Sequence, residues 1–385
     1  VLITKVTTKH KATGKGHMSF HNAYKGKKVL VTGNTGFKGA WLTAWLHDLG
    51  AEVFGLALPP ENDQWLFKQA GLASICRHVD GDIRDLGVVR KVFRDAQPDI
   101  VLHLAAQAIV RASYKDPVGT VATNILGTTH ILEVIREAGR PCAAVMVTSD
   151  KCYENREWPF AYRENDPMGG HDVYSMSKGA AELVTASYRR SFFPNGGPVA
   201  VASARAGNVI GPGDWAADRI VPDAMRTLLR GDPLVVRNPG AIRPWQHVLE
   251  PLSGYLWLGA KLLEKDSDWV RDGWNFGPGL DAARNVGELA DEMVKTLGRG
   301  KWTTDQVGHH PHEANFLRLS IEKASSMLRW KPVWNFSETV RRTVEGYEKL
   351  IAAGKNPDQQ KDFLAGEISA YTIAAKQIGN HWALH

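Results

Sequence analysis

Residues 27–46 read KKVLVTGNTGFKGAWLTAWL. Charge at 27–28 gives way to a short apolar, β-branched run at 29–32, which breaks at Gly33 and turns helical from about Phe37. The pattern predicts a strand, a tight glycine turn and a helix. Glycines stand at Gly33, Gly36 and Gly39. Glycine accepts positive φ and lets a backbone approach a ligand closely. The helix after the turn points its free N–H groups and positive dipole end at that ligand, which favours a pyrophosphate. The spacing is G-x-x-G-x-x-G rather than G-x-G-x-x-G, and an ordinary glycine-rich strand-to-helix turn has the same look.

The chain beyond this unit alternates strand and helix. Residues 51–57 form a second apolar strand that runs into Leu58-Pro59-Pro60. The acid that often ends this strand and holds a ribose is absent, and Glu61 and Asp63 lie past the prolines, so NAD and NADP stay open on the residues alone. Residues 75–80 read as a third strand, followed by Asp82-Ile83, and 86–96 as an amphipathic helix. A fourth strand at 99–104 ends in Ala105-Ala106-Gln107, and a long helix is expected at 117–138. Further strands are expected at 143–149 and 199–204, with a helix at 172–191 between them. Strands apolar on both faces and alternating with helices specify a parallel sheet covered on both sides, a doubly wound α/β fold of the Rossmann type. Ligands of such sheets bind at the carboxyl ends of the strands.

From Gly207 loops lengthen, and Pro, Trp and Arg accumulate. Helices are expected at 220–229, 249–264, 286–297, 321–328, 336–353 and 365–378. The expected organisation is a dinucleotide-binding domain at 18–207 with returns at 244–278. A smaller, mixed C-terminal substrate-binding domain takes 208–243 and 279–360, and a tail takes 361–385. Residues 1–17 lack periodicity and end in Gly16-His17 before Met18, and read as a tag or disordered leader.

Bulk properties narrow the function classes. The chain has 385 residues, 43% of them hydrophobic and 23% charged, as in an average soluble globular protein. No uninterrupted apolar run approaches a membrane span. Cys76, Cys142 and Cys152 include no C-x-x-C pair, which argues for a reducing cytoplasm and against a disulfide framework or zinc site. The net charge is +6, but six lysines and no acid fall in the first 27 residues. Nucleic-acid binding rests on that leader alone, and the remaining charge suits an anionic small molecule.

The second chemical signal is Tyr174-Ser-Met-Ser-Lys178. A spacing of four places both side chains on one helix face, where an ammonium beside a phenol favours the phenolate. Such a tyrosine can take a proton from a hydroxyl while hydride leaves the same carbon. An exposed Tyr–Lys pair on a helix gives the same spacing. Ser149, at the expected end of the fifth strand, and the glycine turn strengthen the catalytic reading.

TGNTGFKG, Asp82-Ile83, LAAQA, Asn124, Ser149 and the Tyr174/Lys178 pair together resemble the extended short-chain dehydrogenase/reductases, over roughly residues 27–334. TSDKCY, GNVIGPGDW, RPWQHVLEPLSGYL, WNFGP and PHEA are most similar to the nucleotide-sugar 4,6-dehydratases that act on CDP-glucose. The resemblance implies NAD as cofactor, held by Gly33, Thr35, Gly36, Phe37, Lys38, Gly39, Asp82, Ile83, Leu104, Ala105, Ala106, Gln107, Thr123, Tyr174 and Lys178. These enzymes oxidise carbon 4, eliminate water across carbons 5 and 6, and return the hydride to carbon 6. By resemblance Ser149, Tyr174 and Lys178 serve the oxidation, Asp150 is the general acid and Lys151 the general base. In an extended strand residues 150 and 151 face opposite sides, so both reach one sugar only if the backbone leaves strand geometry there.

Gln107, Arg111, Asn208, Arg219, Arg243 and His247 are candidates for the substrate, with Arg243 the first choice for a diphosphate. His309, His310, His312 and Glu313 make a poor tetrahedral set, and no metal is expected. Related enzymes pair the two long helices into a four-helix interface, which implies a homodimer or a tetramer. The enzyme alternatives are a UDP-hexose 4-epimerase or a dehydratase for another nucleotide sugar. A non-catalytic dinucleotide sensor typically lacks the tyrosine or lysine, and both stand here.

Overall fold

The structure is a computed structural model that describes residues 19–279, 282–304 and 316–384. The expected leader with its Met18 start, the PHEA segment and the histidine cluster at 309–313 lie outside the described residues.

Seven parallel strands form the central sheet: β1 (Lys28–Thr32), β2 (Glu52–Ala57), β3 (Arg77–Asp80), β4 (Ile100–His103), β5 (Cys142–Val147), β6 (Val199–Arg205) and β7 (Gly273–Asn275). Their order is β7-β6-β5-β4-β1-β2-β3, so the winding reverses between β1 and β4. Successive residues of a strand face opposite sides. Val29 and Val31 therefore enter one core with Ile100, Leu102 and Val145, and Leu30 enters the other with Val101, Ala144 and Met146. Helices α1 (Phe37–Asp48) and α6 (Leu249–Leu262) cover the first face. The second face carries α2 (Leu86–Ala96) and α3 (Pro117–Ala138). Against α3 packs α4 (Val173–Phe192).

Local chemistry sets the helix starts. Asp85 accepts hydrogen bonds from the Gly87 and Val88 N–H groups at the head of α2, and Asp172 from Ser175 N at the head of α4. Asp116 caps α3, with Pro117 in its first turn. By length and composition α3 could cross a membrane, which reading for uninterrupted apolar runs missed. Its inner face is packed instead: Ile131, Leu132 and Ile135 fill the second core and Asn124 is buried. Ala122–Leu126 form a π-turn within it.

Three further helices, α5 (Ile220–Leu229), α7 (Val286–Leu297) and α8 (Phe336–Ala353), surround a separate core of Val221, Met225, Leu228, Leu289, Met293 and Val340. Short two-stranded sheets accompany them. Leu234–Val236 pairs in parallel with Trp302–Thr304, and Ile242–Pro244 antiparallel with Ala283–Asn285. This is the smaller, mixed C-terminal region. The last segment is not a tail. Helix α9 (Pro357–Gln377) begins eight residues before the helix expected at 365 and packs against α1. It puts Leu364, Ile368, Tyr371 and Ala375, followed by Trp382, into the main core. Trp382 stacks on Phe20 at 4.8 Å, which ties the two ends of the described chain together.

Candidate active site

A cleft of about 1850 Å³ opens at the carboxyl ends of the strands, between the sheet and the smaller region. Its floor is the glycine turn. Gly33 has φ +75°, and a Cβ there would lie 2.7 Å from Ala105 N, on the neighbouring strand end. A Cβ on Gly39 would fall 2.0 Å from the Gly33 carbonyl oxygen, so only glycine lets α1 begin this close to the turn. Gly36 meets nothing nearer than 3.4 Å and leaves its backbone open to the cleft. The cradle fits a dinucleotide pyrophosphate at the N-terminus of α1. Thr35, Phe37, Lys38, Asp82, Ile83 and Thr123 line the same cleft.

The wall beside the turn is built from strand ends. His103 is neutral, because burial lowers its pKa to about 3, and its ring contacts Thr32 Oγ1 at 2.7 Å and Thr128 Oγ1 at 3.1 Å. Asn124 then holds the Leu104–Gln107 segment. Its Oδ1 accepts from Gln107 N at 2.9 Å, and its Nδ2 donates to Gln107 O and Ser177 Oγ. The Gln107 side chain is taken by Thr120 Oγ1 and Ile109 N, so it shapes the wall rather than reaching freely into the cleft.

β5 ends at Val147, and Asp150–Cys152 form a single 3-10 turn. The backbone thus leaves strand geometry here, and Ser149, Asp150 and Lys151 all line the cleft with Tyr174 and Lys178. The Ser149 hydroxyl donates to Asp150 Oδ1 at 3.0 Å and shares a hydrogen bond with the Tyr174 phenol. Asn208 Nδ2 donates to Asp150 Oδ2 at 3.2 Å, so the carboxyl group is buried and held from two sides.

Charge in the site departs from the expectation of a phenol lowered by its lysine. Burial pushes Tyr174 up to about 12, against the Ser149 hydrogen bond. Burial, and then the positive charge of Lys38, bring Lys178 down to about 7. Lys38 is itself lowered to about 8 by burial and by Arg219, and its amine lies 5.7 Å from the Tyr255 ring centre. The mutual repulsion of these cations is a tertiary effect that no spacing reveals.

Of the substrate candidates, Gln107, Arg111, Asn208, Arg219 and Arg243 line the cleft and His247 does not. His247 is fully buried between Trp41 and Trp334, and burial keeps its pKa near 3. It is a core residue, because its ring packs against these two tryptophans and away from the cleft lining. Arg219 donates to Asp214 Oδ2 at 2.8 Å. Behind the site lies a network that sequence reading missed. Glu182 pairs with Arg205 at 2.9 Å and accepts from Thr148 and Ser203, while Arg205 also donates to the Tyr153 hydroxyl. The only sequence signal was Glu182 standing one turn beyond Lys178.

The family described as GDP-mannose 4,6 dehydratase matches residues 30–343. The chain is 46% identical over 335 residues to the CDP-glucose 4,6-dehydratase of Salmonella typhimurium, covering 86% of this chain and 93% of that one. A solved dTDP-glucose 4,6-dehydratase (DesIV) from Streptomyces venezuelae, with NAD and TYD bound, aligns with TM-score 0.68 at 25% identity, covering 83% of this chain and 96% of that one. The UDP-glucose 4-epimerase of Thermus thermophilus in complex with NAD aligns with TM-score 0.71 at 25% identity, covering 83% and 98%. With a dinucleotide cradle, the Tyr174/Lys178 pair and the Asp150-Lys151 turn on one cleft, the chain belongs to the GDP-mannose 4,6 dehydratase family of nucleotide-sugar dehydratases.

Proposed function

We propose that the protein is an NAD-dependent dehydratase that converts CDP-D-glucose to CDP-4-dehydro-6-deoxy-D-glucose. One observation carries the reading: the turn after β5 presents Asp150 and Lys151 to the cleft that holds Tyr174 and Lys178. A tyrosine, a lysine and a dinucleotide are enough to oxidise carbon 4, and an epimerase needs no more. An acid and a base beside them are what elimination requires. The choice of CDP-glucose follows the 46% identity to the Salmonella enzyme.

The chemistry that bound NAD supplies is uptake and return of a hydride. Gly33, Gly36 and the N-terminus of α1 would hold its pyrophosphate, and Thr35, Asp82, Ile83 and Thr123 line the same cleft. Tyr174 takes the proton of the 4-hydroxyl, with Ser149 orienting the phenol. Arg219 and the positively charged nicotinamide of bound NAD would favour the phenolate, against the burial that raises the phenol to about 12. Once carbon 4 is a ketone, the proton on carbon 5 is acidic, and its removal is assigned to Lys151. Asp150 gives a proton to the departing 6-hydroxyl, which leaves as water. Arg243, on the rim of the smaller region, is assigned to the diphosphate.

The enzyme acts in the cytoplasm as a homodimer. Its interface is assigned to the outer faces of α3 and α4, where Val118, Leu126, Met176 and Leu183 are exposed. The direct test of the reaction is incubation with NAD and, separately, CDP-, UDP-, GDP- and dTDP-glucose. Alkaline absorbance then detects a 4-keto-6-deoxy sugar. Signal with CDP-glucose alone is expected. Signal with another nucleotide keeps the mechanism and rejects the substrate. Epimers without a keto product reject the roles of Asp150 and Lys151.

A further inference from the structure

Asp218 stands at the mouth of the cleft, on the loop that leads into α5. Its φ is +63°, a left-handed conformation that few residues other than Gly, Asn and Asp adopt readily. Its Oδ1 lies 3.6 Å from Arg111 Nη1 and 4.0 Å from Arg237 Nη1. The two arginines come from separate elements. Arg111 is on the short helix Val110–Lys115 beside the dinucleotide cradle, and Arg237 follows the strand Leu234–Val236 of the smaller region. All three residues line the cleft. The next residue, Arg219, is committed inward to Asp214 at 2.8 Å, so neighbouring side chains of one loop serve separate ion pairs.

Both Asp218 contacts are longer than the 2.7–2.9 Å of a good charge-assisted hydrogen bond. One carboxylate oxygen serves two guanidinium groups at a distance, and the partners are partly exposed, with 24%, 32% and 40% of the Arg111, Arg237 and Asp218 side chains accessible. Such contacts are weak and easily exchanged. A diphosphate offers more oxygens and more charge than one carboxylate, and guanidinium groups bind it bidentately. We propose that Asp218 is a positioning residue that stands in for the substrate diphosphate: it holds Arg111 and Arg237 side by side at the cleft and yields them to the incoming anion. The inference rests on the nucleotide-sugar reading and extends it. The carboxylate keeps two cations from separate elements ordered before the ligand arrives, and competes with any ligand that lacks enough negative charge to displace it.

Asp218→Asn tests this, because asparagine tolerates the same backbone and removes only the charge. Affinities of CDP, cytidine and NAD are measured by calorimetry for the wild type and the variant. Loss of a competing charge at this range is expected to tighten CDP roughly three- to tenfold. Cytidine and NAD are expected to bind as before. Arg237→Gln is expected to weaken CDP, and in the Asp218→Asn background to abolish the gain. CDP affinity equal in the two proteins overturns the proposal, as does a change shared equally by cytidine, which marks a merely structural role. If wild type prefers UDP or dTDP, the substrate assignment falls and the same comparison decides the proposal on that nucleotide. If it binds no nucleoside diphosphate, both fall.

Discussion

Glu250 is fully buried on α6, and the hydrogen-bond partners of its carboxylate are far away in sequence. Its carboxylate accepts from Val333 N and Trp334 N at 3.0 and 2.8 Å and from the Tyr371 hydroxyl at 2.7 Å. Burial outweighs these three donors and raises its pKa from 4.5 to about 7. The folded state therefore binds a proton more tightly than the unfolded chain does. Stability from this group is fully present below about pH 4.5 and is lost as pH rises toward 7, above which both states are ionised. The difference amounts to about 3 kcal/mol at most. Glu250→Gln removes the titration and keeps the shape. The amide oxygen can still accept the backbone N–H groups. Its NH2 can donate to the Tyr371 oxygen while that hydroxyl turns to Ser253 Oγ, 3.1 Å away. Urea unfolding of both proteins at pH 5, 6, 7 and 8 supplies the measurement. The stability of Glu250→Gln relative to wild type is expected to rise by about 2–3 kcal/mol between pH 5 and 7 and then level off. A constant offset across this range refutes the argument and places the charge of Glu250 outside the folding equilibrium.

Tyr174→Phe is expected to lower kcat by roughly 10²–10⁴ while NAD binding is retained, as fluorescence titration of the cofactor would report. Lys151→Ala is expected to keep oxidation and lose elimination. In single-turnover experiments the reduced cofactor then accumulates, and its absence separates Lys151 from the proton on carbon 5. Leu183→Glu, on the exposed face of α4, is expected to shift sedimentation velocity from dimer to monomer at micromolar protein while the far-ultraviolet circular dichroism stays unchanged.

The alternation of apolar strands and amphipathic helices was legible because sheet and helix periodicity are local, and Leu86–Ala96, Ile220–Leu229, Val286–Leu297 and Phe336–Ala353 stand where the periodicity places them. The glycine turn was legible because Gly33 and Gly39 answer to backbone geometry within a few residues of themselves. Tyr174 and Lys178 were legible because a helix fixes what four residues apart means. His247 was misplaced because a motif gives a residue's position along the chain and not the face it turns to. Two tryptophans distant in sequence, Trp41 and Trp334, enclose it. The depressed amines of Lys38 and Lys178, the Glu182–Arg205 pair, the joint hold of Asp218 on Arg111 and Arg237, and the packing of α9 on α1 all join residues from separate elements. The sequence by itself determined the sheet, the cradle and the pairing of Tyr174 with Lys178 on one helix face, since each follows from short-range spacing. Only the tertiary structure decided which charges share a low-dielectric space, because burial and Coulomb interaction depend on distance through space, which the chain order does not carry.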